Sequence, residues 1–387
     1  MNFHDLNTVW EDGRVVFYDI FRGLNDKVYA VAPLLYAKWL NAETGVWHPS
    51  FDQLDPPVPL LSRPERMGVL GSVFIDQVDP HLFRGGSMVT PTIQSFHWHA
   101  TIFEFDVTTP PHSEMIFYYS VNGKQHGIPL TLPTPPDVRY GVTDTTMFRD
   151  DNEIIGEWID HCMTLGFDHF FLYDNFSVEP LPDHPNVTVI PFPFPYYYTY
   201  PSNWQTHGWY NIDGAGLGSQ FPQQMHALLK YGGMVDWMGF FDTDEYPNLL
   251  RHDSIQDFLS GDAGRAAVSL PSVFFGAKED TGEGRIRERF VWRDEPMESN
   301  GFCYGRKKML LNVKNLLPGE HVGIHDFVGR DPYANMRNEP FVTDVRRQAD
   351  FDEARFNHYA QISFRRRDSD FGGAWSYTKD ESIRRFM

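Results

Sequence analysis

The chain has 387 residues, 41% hydrophobic and 16% aromatic, enough to bury a substantial core and to form two domains. Its 52 acidic and 33 basic side chains give a net charge of −19, which excludes a surface for nucleic acid or anionic lipid unless basic residues gather locally. No stretch reaches the ~20 apolar residues of a membrane-spanning helix. Met1-Asn2-Phe3-His4-Asp5 lacks the basic and apolar parts of a signal peptide, so a soluble, cytoplasmic protein without a membrane span is expected. Cys162 and Cys303 are the two cysteines, and Cys162 falls on the apolar face of a predicted helix, so a reducing compartment fits better than a disulfide framework.

From about residue 65 to 132 the pattern is β-like, with aromatic alternating runs at Phe96 to Phe105 and Met115 to Val121, and a hairpin signal at Asn122-Gly123. Leu130-Thr131-Leu132-Pro133-Thr134-Pro135-Pro136 is extended and proline-rich, a linker. It divides a β-rich accessory domain, 1–135, from a second domain, 136–387.

After the linker the rhythm becomes strand, helix, strand. Tyr140 to Phe148 is a predicted strand, and Asp150 with Glu153 reads as a capping pair for the next helix. Ile154, Ile155, Trp158, Ile159, Cys162 and Leu165 form that helix's apolar face, and Gly166 ends it. Strands at His169 to Tyr173 and Val187 to Ile190 follow. An aromatic loop at 191–213, including Tyr196, Trp204 and Tyr210, reads equally as a sugar-binding lip or a lid packed on the core. Gln220 to Tyr231 is a second helix, and Met234 to Phe241 a buried strand. This alternation predicts a mostly parallel sheet covered by helices on both faces.

Asp242-Thr243-Asp244 closes that last strand. Side chains at i and i+2 of a strand point the same way, so two carboxylates are expected on one side of a strand end. A divalent cation relieves their repulsion and also grips the phosphates of a bound nucleotide. Acids are common in turns and D-x-D alone is weak. The buried strand before it adds weight, because ligands of open α/β sheets sit at the carboxyl ends of the strands.

Four blocks carry a resemblance. The first runs from Asp151-Asn152-Glu153 to Trp158, His161, Leu165 to His169, and Tyr173-Asp174-Asn175 with Ser177. The second is Trp237 to Asp242-Thr243-Asp244-Glu245-Tyr246; the third is Phe274-Phe275-Gly276 with Arg287-Glu288-Arg289-Phe290. The fourth joins Lys307-Lys308, Val322-Gly323-Ile324-His325 and Asn357-His358-Tyr359 with Ser363. Over residues 140 to about 375 the chain resembles glycosyltransferase family 92, although Ile362 stands where that family often has a basic residue. The resemblance implies an α/β catalytic domain of GT-A type behind the β-rich N-terminal domain.

It also implies roles. Thr146, Phe148 and Asp174 would hold the nucleobase and ribose. Asp242 and Asp244 would bind ribose and, with Mn²⁺ or Mg²⁺, the diphosphate, approached by Lys307 and Lys308. The third metal ligand is expected to be His325, with His358 the second candidate. Family likeness implies inversion, which needs an acid to deprotonate the acceptor. Glu279, Asp280 and Glu245 are available, with Asp280 preferred; Glu245 alternatively orients the ligands from behind. The expected partners are a nucleotide-sugar donor, UDP-galactose by default, and a glycan or glycoconjugate acceptor, with homo-oligomerisation open. A metal-dependent phosphoesterase acting on nucleotide-sugars and an inactive carbohydrate-binding module are the competing readings.

Overall fold

The computed structural model describes residues 3–11, 14–33, 79–97, 100–107, 115–121, 123–175, 177–192, 220–277, 283–293, 307–317, 320–322, 327–328, 346–360, 362 and 378–387. The chain divides into two compact units, 1–137 with 192–233, and 138–191 with 234–387.

The first unit is antiparallel throughout its described strands. These are β1 (Val9–Glu11), β2 (Arg14–Phe17), β3 (Asp19–Arg22), β4 (Val28–Pro33), β5 (His81–Arg84), β6 (Ser87–Val89), β7 (Ile93–His97), β8 (Ala100–Phe105), β9 (Met115–Val121) and β10 (Lys124–Leu130). They pair as β1-β2, β3-β4-β8-β7 and β10-β9-β5-β6. Alternating residues such as Phe17, Phe103, Phe105 and Phe117 form the core, with the rings of Phe17 and Phe117 edge to face at 4.9 Å. Gly123, at φ 75, makes the turn from β9 to β10 in the backbone region where glycine is at home.

The helix Gln220–Tyr231 belongs to this unit, whereas the sequence boundary at 135/136 assigned it to the second domain. The buried Asp19 carboxylate of β3 accounts for the difference. It accepts from Lys230 Nζ at 2.7 Å and pairs with His226 Nε2 at 3.0 Å, so the helix is tied to an N-terminal strand 207 residues away in sequence. A carboxylate with no access to solvent requires such partners.

The second unit contains β11 (Tyr140–Phe148), α1 (Asn152–Thr164), β12 (His169–Asp174), β13 (Val187–Pro191), β14 (Val235–Gly239), β15 (Glu245–Asn248), α2 (Ile255–Leu259), β16 (Ala267–Leu270), β17 (Ser272–Gly276), α3 (Ile286–Arg289), β18 (Trp292–Arg293), β19 (Lys308–Asn312), β20 (His321–Val322), β21 (Phe327–Val328), β22 (Arg346–Gln348), β23 (Arg355–His358) and β24 (Thr378–Lys379). Seven strands form one sheet in the order β13-β12-β11-β14-β19-β16-β22. It is parallel except at β19, which runs antiparallel to both neighbours. A second sheet, β15-β23-β17-β18-β24, is mixed. The chain passes from the first sheet to the second three times, at β14/β15, β16/β17 and β22/β23.

Helix α1 lays Ile154, Ile155, Trp158, Ile159 and Cys162 into the core with Phe170 and Leu172 of β12. Its end is a glycine-based Schellman arrangement: Gly166, at φ 97, donates to Met163 O, and Phe167 donates to Cys162 O. Its start differs from the predicted capping pair. Asp151 occupies the N-cap without a side-chain cap, and Asp150, at φ 52, accepts the Val178 N–H at 2.6 Å instead. The Cys162 thiol is free and buried; Cys303 lies outside the described residues. Among the described residues no helix is long and apolar enough to cross a membrane.

Candidate functional site

β14 ends at Gly239, earlier than the apolar run predicts. Phe240 N–H donates to Met309 O at 3.1 Å, and Phe241 N–H then turns to the Asp144 side chain, donating to Oδ1 at 3.2 Å. Glu245 N–H donates to Asp242 O at 2.9 Å, closing a four-residue turn before β15 begins. Asp242 and Asp244 therefore sit in a turn between two sheets. The strand rule for i and i+2 does not apply to them, and their carboxylates find different partners.

Asp242 Oδ2 accepts from Lys308 Nζ at 2.9 Å, and the same ammonium lies 3.2 Å from Glu245 Oε2. Antiparallel β19 explains this meeting, since the start of an antiparallel strand lies beside the carboxyl ends of its parallel neighbours. Lys308 is fully buried, so it is not the solvated surface lysine that a Lys-Lys pair suggests. Burial works to lower its pKa, but Asp242 and Glu245 outweigh that and raise it.

On the other side of the turn, Asp244 Oδ2 lies 3.6 Å from His358 Nε2, and Glu245 Oε1 lies 3.8 Å from His358 Nδ1. β15 and β23 pair with Glu245 directly opposite His358, which sets this geometry. The His358 ring stacks on Phe274 of β17, centroids 4.7 Å apart and planes 24° from parallel. Asp244, Glu245 and His358 are all buried, and each offers a ligand atom within 4.8 Å of the other two. The two contacts fall on different nitrogens of the ring and are longer than hydrogen bonds, so one imidazole nitrogen at most could serve an ion shared with the acids.

Burial lifts the Glu245 carboxyl to about 8, Asp242 and Asp244 add to the rise, and Lys308 opposes it. Burial likewise holds Asp144 well above the usual carboxylate range, against the Phe241 amide and Lys308.

The remaining residues predicted from the sequence fall in several places. Thr146 and Phe148 lie at the carboxyl end of β11, both buried, with the Phe148 ring in the hydrophobic core. Asp174 is the register neighbour of Phe148 and accepts the Ser177 N–H at 2.8 Å. Lys307 is buried beside Lys308. Of the two histidine candidates, His358 joins the acids; His325 lies outside the described residues, as do Glu279, Asp280, Ser363 and the aromatic loop from 193 onward.

Sequence reasoning missed three residues. Asp144 carried a signal, an acid inside the Val142-Thr143-Asp144-Thr145-Thr146-Met147 strand. Asp151 accepts from Thr243 Oγ1 at 3.1 Å, pinning the middle of the acidic turn to the start of α1. Phe274, part of the third block, had no visible link to His358.

The second unit is thus an α/β unit whose central sheet ends in an acid-rich turn, met there by a histidine from a neighbouring strand. Residues 143–387 match the model of glycosyltransferase family 92, and the chain belongs to that family. A glycosyltransferase family 92 protein of Ricinus communis is 25% identical over 38% of this chain and 25% of its own length. Another, of Oryza sativa subsp. japonica, is 25% identical over 30% of this chain and 17% of its own length. The matched stretches thus span a quarter or less of those relatives. A maltogenic amylase of S. marinus aligns over 45% of this chain and 25% of its own at 12% identity, with a TM-score of 0.17, too slight a similarity to bear on the fold.

Proposed function

We infer that this chain transfers a sugar, galactose from UDP-galactose by default, from a nucleotide-sugar to a glycan hydroxyl with inversion, in a catalytic unit of GT-A type. The observation that carries the reading is the convergence of Asp244, Glu245 and His358 beside Asp242 and Lys308. Two carboxylates and an imidazole suit Mn²⁺ or Mg²⁺. When bound, such an ion would be held by Asp244, Glu245 and His358 and would neutralise charge on the departing nucleoside diphosphate.

The chain's own residues do the rest. Lys308 holds Asp242 and Glu245 in place from beneath the turn. Its buried ammonium is already engaged by two carboxylates, so it acts on the diphosphate by orienting them. Asp242, a quarter exposed, presents an edge to the ribose. Thr146 and Asp174, at the carboxyl ends of adjacent strands, line the nucleoside end. Glu245 is buried within the cluster, and the acceptor proton is assigned to Asp280, with Glu279 as the alternative.

The test is incubation with a panel of nucleotide-sugars and Mn²⁺, with and without candidate glycans. A transferase releases nucleoside diphosphate faster when acceptor is present. Release of nucleoside monophosphate and sugar phosphate instead identifies a phosphoesterase. Asp244→Ala is expected to abolish turnover while unfolding at an unchanged temperature, and retained turnover removes the metal role.

A further inference from the structure

A buried acid from another strand accepts a backbone amide just before the acidic turn. Asp144 is fully buried in the middle of β11, opposite Gly239 of β14. Its Oδ1 accepts the Phe241 N–H, the first amide to leave the ladder between β14 and β19, while its Oδ2 is buried with no hydrogen-bond partner among the described residues. Gly239 fits the carboxyl closely: a Cβ there would stand 2.4 Å from Oδ1. A buried carboxyl with one of its oxygens unbonded is costly to keep in a strand. Valine or threonine would fill that place without the penalty.

We propose that Asp144 is a positioning residue for the Asp242–Glu245 turn. Its carboxyl captures the Phe241 amide, ends β14 at Gly239 and aims Asp242 and Asp244 at different partners. Without that acceptor, Phe241 N–H becomes an orphaned buried donor. The backbone then gains by extending β14 or by swinging Phe241 toward water, and either movement displaces the residues that follow. Gly239 is the complementary half of the device, since a side chain there drives the carboxyl off the amide.

The metal-binding part of this inference rests on the function proposed above, so the test has two readouts. Wild type, Asp144→Asn, Asp144→Ala and Gly239→Ala are titrated with MnCl₂, and amide hydrogen exchange is followed across residues 241–245 in the metal-free proteins. Asp144→Asn keeps an acceptor of the same shape and is expected to bind Mn²⁺ within threefold of wild type. Asp144→Ala and Gly239→Ala are expected to bind at least tenfold more weakly, and to exchange at least tenfold faster across the turn, while melting cooperatively. Wild-type affinity and exchange in both Asp144→Ala and Gly239→Ala overturn the proposal. If wild type itself binds no Mn²⁺, the metal reading fails and exchange alone decides: unchanged protection in Asp144→Ala refutes the positioning role. Should Asp144→Ala not fold, Gly239→Ala decides by the same two measurements.

Discussion

Lys308 Nζ lies 2.9 Å from Asp242 Oδ2, and the lysine side chain has no exposure to solvent. A buried ammonium persists only when it is paired. Lys308→Met keeps the apolar stem and deletes the charge, leaving Glu245, 2% exposed, without its cation. The expected loss of unfolding free energy is about 3 kcal/mol at pH 8. It is expected to shrink at pH 5, where Glu245 holds its proton. Urea denaturation at the two pH values measures both effects, and equal stability of variant and wild type at pH 8 contradicts them.

A second expectation concerns protons. The buried Glu245 carboxyl titrates at about 8 in the fold, against 4.5 ordinarily. Between those values the metal-free fold keeps a proton that the unfolded chain has released, so this group's contribution favours folding less as pH rises through the window. Metal binding at pH 7 must expel that proton. Calorimetry of Mn²⁺ binding in two buffers of different ionisation heat is expected to report release of about one proton. Loss of that release in Glu245→Gln assigns it; an unchanged release assigns it elsewhere.

The opening elements of the second unit, from β11 to β14, were legible because their signals are local. β11 coincides with the predicted Tyr140 to Phe148, and α1 buries the predicted apolar face. The site was legible in composition and not in geometry. Strand parity presumes that β14 continues to Asp242, but the strand ends at Gly239 and the Phe241 N–H donates to Asp144, 97 residues earlier in the chain. Lys308 was expected beside the diphosphate, and nothing local announces that β19 runs antiparallel and buries it against Asp242 and Glu245. The pairing of β15 with β23, which nothing local announces, brings His358 opposite Glu245, while His325 lies outside the described residues. Each miss involves a contact between residues distant in sequence, which periodicity does not encode.

His161 gives an expectation of opposite sign. Burial and the Arg287 guanidinium hold its pKa down at about 3, opposed by the Pro247 carbonyl. Arg287 donates to Nδ1 at 2.9 Å, so Nε2 carries the proton given to Pro247 O at 2.6 Å, and the ring is neutral. The unfolded chain takes up a proton near 6.5 that the fold refuses, so this contribution is complete above 6.5 and is lost as pH falls toward 3. His161→Phe is expected to be less stable than wild type at pH 7 and to show a shallower acid decline. Thermal unfolding between pH 7 and 4 measures it; parallel declines in the two proteins count against the assignment.

Phe274 offers the sharpest separation of stability from function. Its ring covers one face of His358 and supplies no ligand atom, so its removal changes the freedom of the imidazole without changing the set of ligands. Phe274→Leu keeps an apolar side chain at this buried position and costs about 1 kcal/mol of stability. Because an unsupported ligand must be ordered when the ion binds, Mn²⁺ affinity is expected to fall roughly tenfold, the scale seen when groups behind a metal ligand are removed. Phe274→Tyr preserves the stack and is expected to restore affinity. Mn²⁺ titration of the three proteins against their urea midpoints separates the effects, and a Phe274→Leu protein that binds as wild type does shows that the strand pairing alone orients His358.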